Sequence, residues 1–161
     1  MNKVIKILIL FFILQGCSFE PILINKNFDF RFENINSSGD EKINEVIKNN
    51  LLSRTNGNKK YKINLNSEKN IQTVSSDSKG DPKIYKLQIK VDYNVLLDEK
   101  NVYENTVTKQ ATYNNITDKY ELLQYENNIT KSLSKNIAEE LLFSIQTCLL
   151  YTSPSPRDVC S

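Results

Sequence analysis

Few side chains in this sequence are spaced for covalent or proton-transfer chemistry. Glu139 and Glu140 are consecutive, so on a helix they point to different faces and cannot share a proton across a site. Asp98 and Glu99 fall in a turn, with no acid or base partner at a recognisable spacing. The chain has no His and no Trp, and only four Gly. A His-based triad, a His general base and a His-ligated zinc are therefore excluded, and no glycine-rich phosphate loop is found. The carboxylates read as solvated charge, and nothing supports an enzyme, a cofactor or a metal. Lys59, Lys60 and Lys62 form a small basic cluster at a strand start, and Lys86 and Lys90 recur along a later strand. These five are the candidates for charge contact with a lipid phosphate or a partner, against the alternative of solvated strand residues. Tyr93, Tyr103, Tyr113 and Tyr120 could form a recognition stripe, or could simply pack.

The residue with the most specific chemistry is Cys17. Lys3 and Lys6 form a short basic region, and Val4 to Leu14 is apolar apart from Lys6. That core is shorter than the roughly 20 residues a permanent transmembrane helix needs, and has the length of a signal-peptide core. It ends in Leu14-Gln15-Gly16-Cys17, which resembles a bacterial lipobox: an aliphatic residue at −3, a small one at −1, then Cys. The alternative is an ordinary secretory signal with a chance Cys. On the lipobox reading the Cys17 thiol takes a diacylglyceryl group and its new amino group an N-acyl chain, and several chains together anchor firmly. The only non-protein group expected is this covalent lipid. Residues 1–16 are then signal peptide and residues 17–26 a lipidated tether. Ser18, rather than Asp, follows the Cys, which in Gram-negative lipoproteins implies sorting to the outer membrane.

Composition sets the remaining bounds. Charged residues are 25% and apolar residues 39% of the 161, and mean hydropathy is −0.46. That excludes a polytopic membrane protein and does not read as a disordered chain. The formal charge is +2, with 21 basic and 19 acidic residues, and loss of Lys3 and Lys6 makes the two counts equal. A neutral chain has no electrostatic footprint for nucleic acid. The last stretch differs from the body. All 21 Asn precede residue 137, whereas 147–161 has no Asn, Lys or Ile but holds Cys148, Cys160, Pro154 and Pro156. It reads as foreign, like translated adapter sequence, or as a Pro/Ser-rich tail. On either reading the expected domain is 27–146, and Cys148 and Cys160 need no disulfide.

The body must position whatever the surface does. Phe28, Phe30 and Phe32 alternate with charged residues and predict a strand with one buried face. Ser38 with Glu41 fits a capping box, and Ile43, Val46, Ile47, Asn50 and Leu51 recur at helical spacing. That helix is expected to end before Gly57, in the polar stretch Thr55-Asn56-Gly57-Asn58. Tyr61, Ile63 and Leu65 predict a second strand, and Ser75 to Pro82 a polar connection. The third strand is the clearest: Tyr85, Leu87, Ile89, Val91, Tyr93, Val95 and Leu97 point one way, with Lys86, Gln88, Lys90, Asp92, Asn94 and Leu96 opposite. Asp98 to Asn101 connects it to a fourth strand over about Val102 to Tyr113. A long helix starts at Thr117 or Asp118, with Tyr125, Ile129, Leu133, Ile137, Leu141 and Ile145 as its stripe, widened by Leu122, Ala138 and Leu142. The order β-α-β-β-β-α predicts an α+β two-layer sandwich, both helices on one face of a four-stranded sheet. The other face is polar, either solvated or set in a water-lined space such as a barrel lumen.

Together these pieces resemble the LPS-assembly lipoprotein LptE family. The resemblance is carried by the lipobox with Cys17-Ser18-Phe19-Glu20-Pro21-Ile22, by Tyr85 to Tyr93, by Ala111-Thr112-Tyr113-Asn114 with Tyr120 beyond, and by Leu133 to Leu141. It runs over roughly residues 14–146. Ser18 in place of Gly, Gln15, and a final helix cut short at the tail are departures. The resemblance implies an outer-membrane, periplasm-facing lipoprotein that plugs the LptD β-barrel, assists its assembly and takes part in LPS transport to the cell surface. Its implied partners are an LptD-like barrel, LPS, and the membrane through the lipid anchor. It supplies no catalytic residues. The competing expectation is a lipoprotein that binds or carries acyl chains itself, which needs an apolar cavity.

Overall fold

A computed structural model describes residues 28–151. The order is β1 (Phe28–Gly39), α1 (Glu41–Arg54), β2 (Thr55–Ser76), β3 (Pro82–Leu97), β4 (Lys100–Asn114) and α2 (Lys119–Tyr151). The strands form one sheet in the order β1-β2-β3-β4. β1 runs parallel to β2, and both later pairs are antiparallel. The two helices pack on one face, so the expected α+β sandwich is the observed one. The signal segment, Cys17 and most of the tail lie outside the described residues.

Each element follows from local chemistry, with some departures from expectation. Asp40, not Ser38, caps α1: its Oδ1 accepts from the Ile43 amide at 3.1 Å. Ser38 is held in β1 opposite Asn66, and its hydroxyl donates to the Leu65 carbonyl and the Asn66 side chain instead. Gly39 then turns the chain at φ +92°, where a Cβ would sit 1.9 Å from the Ser67 carbonyl oxygen. No loop separates α1 from β2. The Thr55 amide and hydroxyl both bond the Leu51 carbonyl, and pairing begins at once with Phe28 opposite Thr55. The polar Thr55–Asn58 stretch is thus strand, because Gly57 lets β2 pass close to the Asp29–Phe30 backbone. Asp98 and Glu99, both at positive φ, make a two-residue hairpin loop, tighter than the four residues expected. Asp118 caps α2, accepting from the Tyr120 and Glu121 amides.

The core lies between sheet and helices. Phe28, Phe30 and Phe32 of β1, Ile63 and Leu65 of β2, and the alternate residues Leu87 to Val95 of β3 meet Ile43, Ile47 and Leu51 of α1. α2 contributes Leu133, Ile137, Ala138, Leu141, Leu142 and Ile145. Tyr125 is not in the expected stripe. It is 46% exposed, leaning on Tyr113 with ring centroids 5.9 Å apart, while Leu122 takes the inward place. In α1 the buried polar partner of Ile43 and Ile47 is Asn44, whose amide donates to the Ser38 carbonyl. α2 also continues past Gln146, so the helix includes residues from the stretch read as a tail. Cys148 is buried there and disulfide-bonded, where the sequence reading needs no disulfide.

Candidate functional site

The side of the sheet away from the helices is the candidate site, and strand register builds it. Asn36, Asn64 and Asn94 stand side by side on β1, β2 and β3, with Glu104 next on β4. The next row is Ser38, Asn66, Asp92 and Thr106. Further along come Glu68, Lys90 and Thr108, then Asn70, Gln88 and Gln110, then Gln72, Lys86 and Thr112. Successive residues of a strand alternate faces, so one in-register polar alternation on each strand makes a polar face.

The side chains on it bond to each other across strands. Asn36 donates to Asn64 at 2.9 Å, and Asn64 to Asn94 at 3.2 Å. Asp92 accepts from Thr106 at 2.6 Å and from Lys90 at 2.9 Å. Lys90 beside it, and then the Thr106 hydroxyl, hold the Asp92 carboxyl below its ordinary range, and Asp92 raises Lys90 in turn. A shallow open depression of about 590 Å³ lies over Ser38, Asn64, Asn66, Asp92, Asn94 and Thr106. These groups can donate and accept hydrogen bonds. They include no nucleophile with a base, and among the described residues no group of three or more His, Cys, Asp and Glu could hold a metal ion.

The five lysines singled out from sequence are not gathered. Lys62 stands opposite Leu96, so Lys90 and Lys86 lie six and ten residues away along β3, roughly 20 and 33 Å. Lys60 pairs with Glu33 at 3.2 Å, and Lys62 pairs with Glu99, which raises its pKa. Lys86 stands between Gln72 and Thr112, and Lys59 stands opposite Phe30. The four tyrosines do not form a stripe: Tyr93, Tyr103 and Tyr113 pack on the core, while Tyr120 is 72% exposed. Tyr93 and Tyr113 are buried, and burial pushes both phenols up. Tyr93 bonds Ser144 on α2 at 2.6 Å, and Tyr113 donates to Glu126 at 2.6 Å. The polar side of β3, with Gln88, Asp92 and Asn94, is the one the sequence predicts; what it missed are the row neighbours Asn64, Asn66, Asn70 and Gln72 of β2 and Thr106, Thr108, Gln110 and Thr112 of β4. Their signal was there, as every second residue of each strand.

Solved structures share this architecture. Rare lipoprotein B from Shewanella oneidensis matches with TM-score 0.58 at 14% identity, over 73% of this chain and 96% of that one. The chain has its fold. A minor lipoprotein from Acinetobacter baumannii matches with TM-score 0.58 at 12% identity, over 75% and 93%. Lipoprotein B from Nitrosomonas europaea matches with TM-score 0.54 at 14% identity, over 78% and 88%. No protein-family model and no curated protein matches the sequence.

Proposed function

We propose that this chain is an outer-membrane lipoprotein of the LptE type, anchored through lipid on Cys17, that occupies the lumen of an LptD-like β-barrel and assists its assembly for LPS transport. The observation that carries the reading is the open sheet face, polar in the five rows from Asn94 to Lys86 and hydrogen-bonded across strands in the two rows of Asn94 and Asp92. A barrel wide enough to pass a glycolipid has a water-lined interior, and a domain filling it needs a polar outer wall over a closed core. The lipobox and the shared fold with proteins named as lipoproteins support the same reading. In it the protein acts by occupancy and not by catalysis.

The acyl-carrier alternative needs an apolar cavity. The notch beside Phe30, Tyr61 and Leu149 holds about 90 Å³, well below the roughly 300–1,000 Å³ of ordinary ligand sites. Among the described residues, the depressions over the sheet face and between α1 and α2 are lined mainly by polar and charged residues. Purification of the tagged full chain from solubilised outer membranes tests the proposal. A large barrel protein recovered with it is the expected result, and recovery without one overturns the reading.

A further inference from the structure

α1 and α2 lie side by side on the sheet and are tied at the end of α1, where Arg54 meets Glu139 at 3.9 Å. Nearer the start of α1 a groove of about 370 Å³ opens between them. Lys42, Glu45 and Asn49 of α1 form one bank, Asn127 and Lys131 of α2 the other, with Val46 between. Lys42 and Lys131 thus face the same space from different helices. Neither has an ion-pair partner among the described residues, although Lys60, Lys62, Lys90, Lys109 and Arg54 each have one. Among the described residues, Glu45 is the one carboxylate and Val46 the one large apolar side chain in the lining. Two ammonium groups less one carboxylate leave the groove with a net charge of +1. The depression over the sheet face has the opposite balance, because its lining holds Asp92 and Glu104 and no Lys or Arg.

We infer that the groove between α1 and α2 receives an acidic segment of the barrel in which the domain sits. The inference rests on the proposed lumen occupancy and names the chemistry that the barrel presents to the helical side. Charge selects the occupant. One carboxylate set between Lys42 and Lys131 pairs with both and leaves the groove neutral. The amides of Asn49 and Asn127 can both donate to and accept from the backbone of the same segment. A phosphate monoester carries about −1.5 to −2 at neutral pH and would leave excess negative charge beside Glu45. A glycolipid also brings acyl chains, and Val46 alone gives them little apolar surface. The sheet-face depression, with its two carboxylates, repels the segment that the helical groove attracts. Charge therefore gives the domain one rotational setting in the lumen, helices toward the acidic segment.

The test uses the tagged full chain in cells, with p-benzoylphenylalanine in place of the exposed Asn49. Irradiation joins this position to whatever occupies the groove, and mass spectrometry identifies the joined species. The expected product is a barrel peptide with Asp or Glu beside the joined position. Lys42→Glu with Lys131→Glu, both at exposed positions, is expected to lower the yield about tenfold. Exchange of the mapped Asp or Glu for Lys is expected to restore it. A thermal melt shows that the charge-reversed chain folds, and Lys42→Gln with Lys131→Gln gives a milder fall in yield by the same route. A joined peptide without an acidic residue, a glycolipid adduct in place of a peptide, or a yield that charge reversal leaves unchanged overturns the assignment of the groove. So does recovery of the barrel with no joined product, which leaves the lumen occupancy standing. Recovery of the chain without a barrel overturns the lumen occupancy and this inference with it.

Discussion

Asp92 accepts the Thr106 hydroxyl at 2.6 Å across the β3–β4 ladder while its other oxygen takes the Lys90 ammonium at 2.9 Å. Its carboxyl is held below the ordinary carboxylate value by these contacts. A group whose folded pKa is depressed adds stability above its unfolded value, near 3.9 for Asp, and loses it as pH falls through the folded value. Asp92→Asn is therefore expected to melt slightly below the wild type at neutral pH, by the small margin of a half-exposed pair. The gap should close as pH falls below about 4. Melting curves of both proteins against pH check this. A gap that widens on acidification contradicts the assignment.

Gly39 and Gly80 have nearly the same positive φ, +92° and +91°, in different surroundings. At Gly80 nothing lies within 4 Å of the place a Cβ would take, so Gly80→Ala costs about 1–2 kcal/mol of backbone strain. At Gly39 the same change drives a methyl into the Ser67 backbone and separates β1 from β2. Gly39→Ala should cost clearly more, about 3 kcal/mol or above. Urea unfolding of the two variants gives the comparison.

Ile137 is fully buried and Tyr125 nearly half exposed, although both sit on the same four-residue stepping. Ile137→Ala should destabilise by about 2–5 kcal/mol through lost contacts and a cavity. Tyr125→Ala removes one edge contact with Tyr113 and should cost about 1 kcal/mol or less. Equal losses would return Tyr125 to the core stripe.

The run from Asn36 through Asn64 to Asn94 offers a way to test the open face apart from the core. Asn64→Asp with Asn94→Asp sets like charges on neighbouring strands and disrupts the amide chain. About 1 kcal/mol of destabilisation is expected. Recovery of a barrel protein with the tagged chain should fall well beyond what that loss explains. Unchanged recovery would mean that this face does not carry the partner contact.

Periodicity located two helices, four strands and the inward residues Leu87 to Val95 of β3, but not the ends of β2, which runs from Thr55 to Ser76 on either side of the Tyr61–Leu65 alternation. Leu87, Ile89, Val91, Tyr93 and Val95 alternate with polar residues, and a one-residue slip would expose all five. The chemistry expected of Cys17 also comes from the chain alone, since a lipobox is read as a linear segment. What local pattern could not decide was anything set by a neighbour distant in sequence. Ser38 looks like a helix cap, yet β2 holds it in β1 and Asp40 caps instead. Lys60 and Lys62 look like free cations until Glu33 arrives from β1 and Glu99 from the β3–β4 hairpin loop. The polar rows exist only because register places Asn36 beside Asn64 and Asn94, residues 28 to 30 apart in the chain. A sequence states which face each residue takes on its own element. Only the paired sheet decides which residues share a row, because register depends on the fit of whole strands and on the helices that cover one side of them.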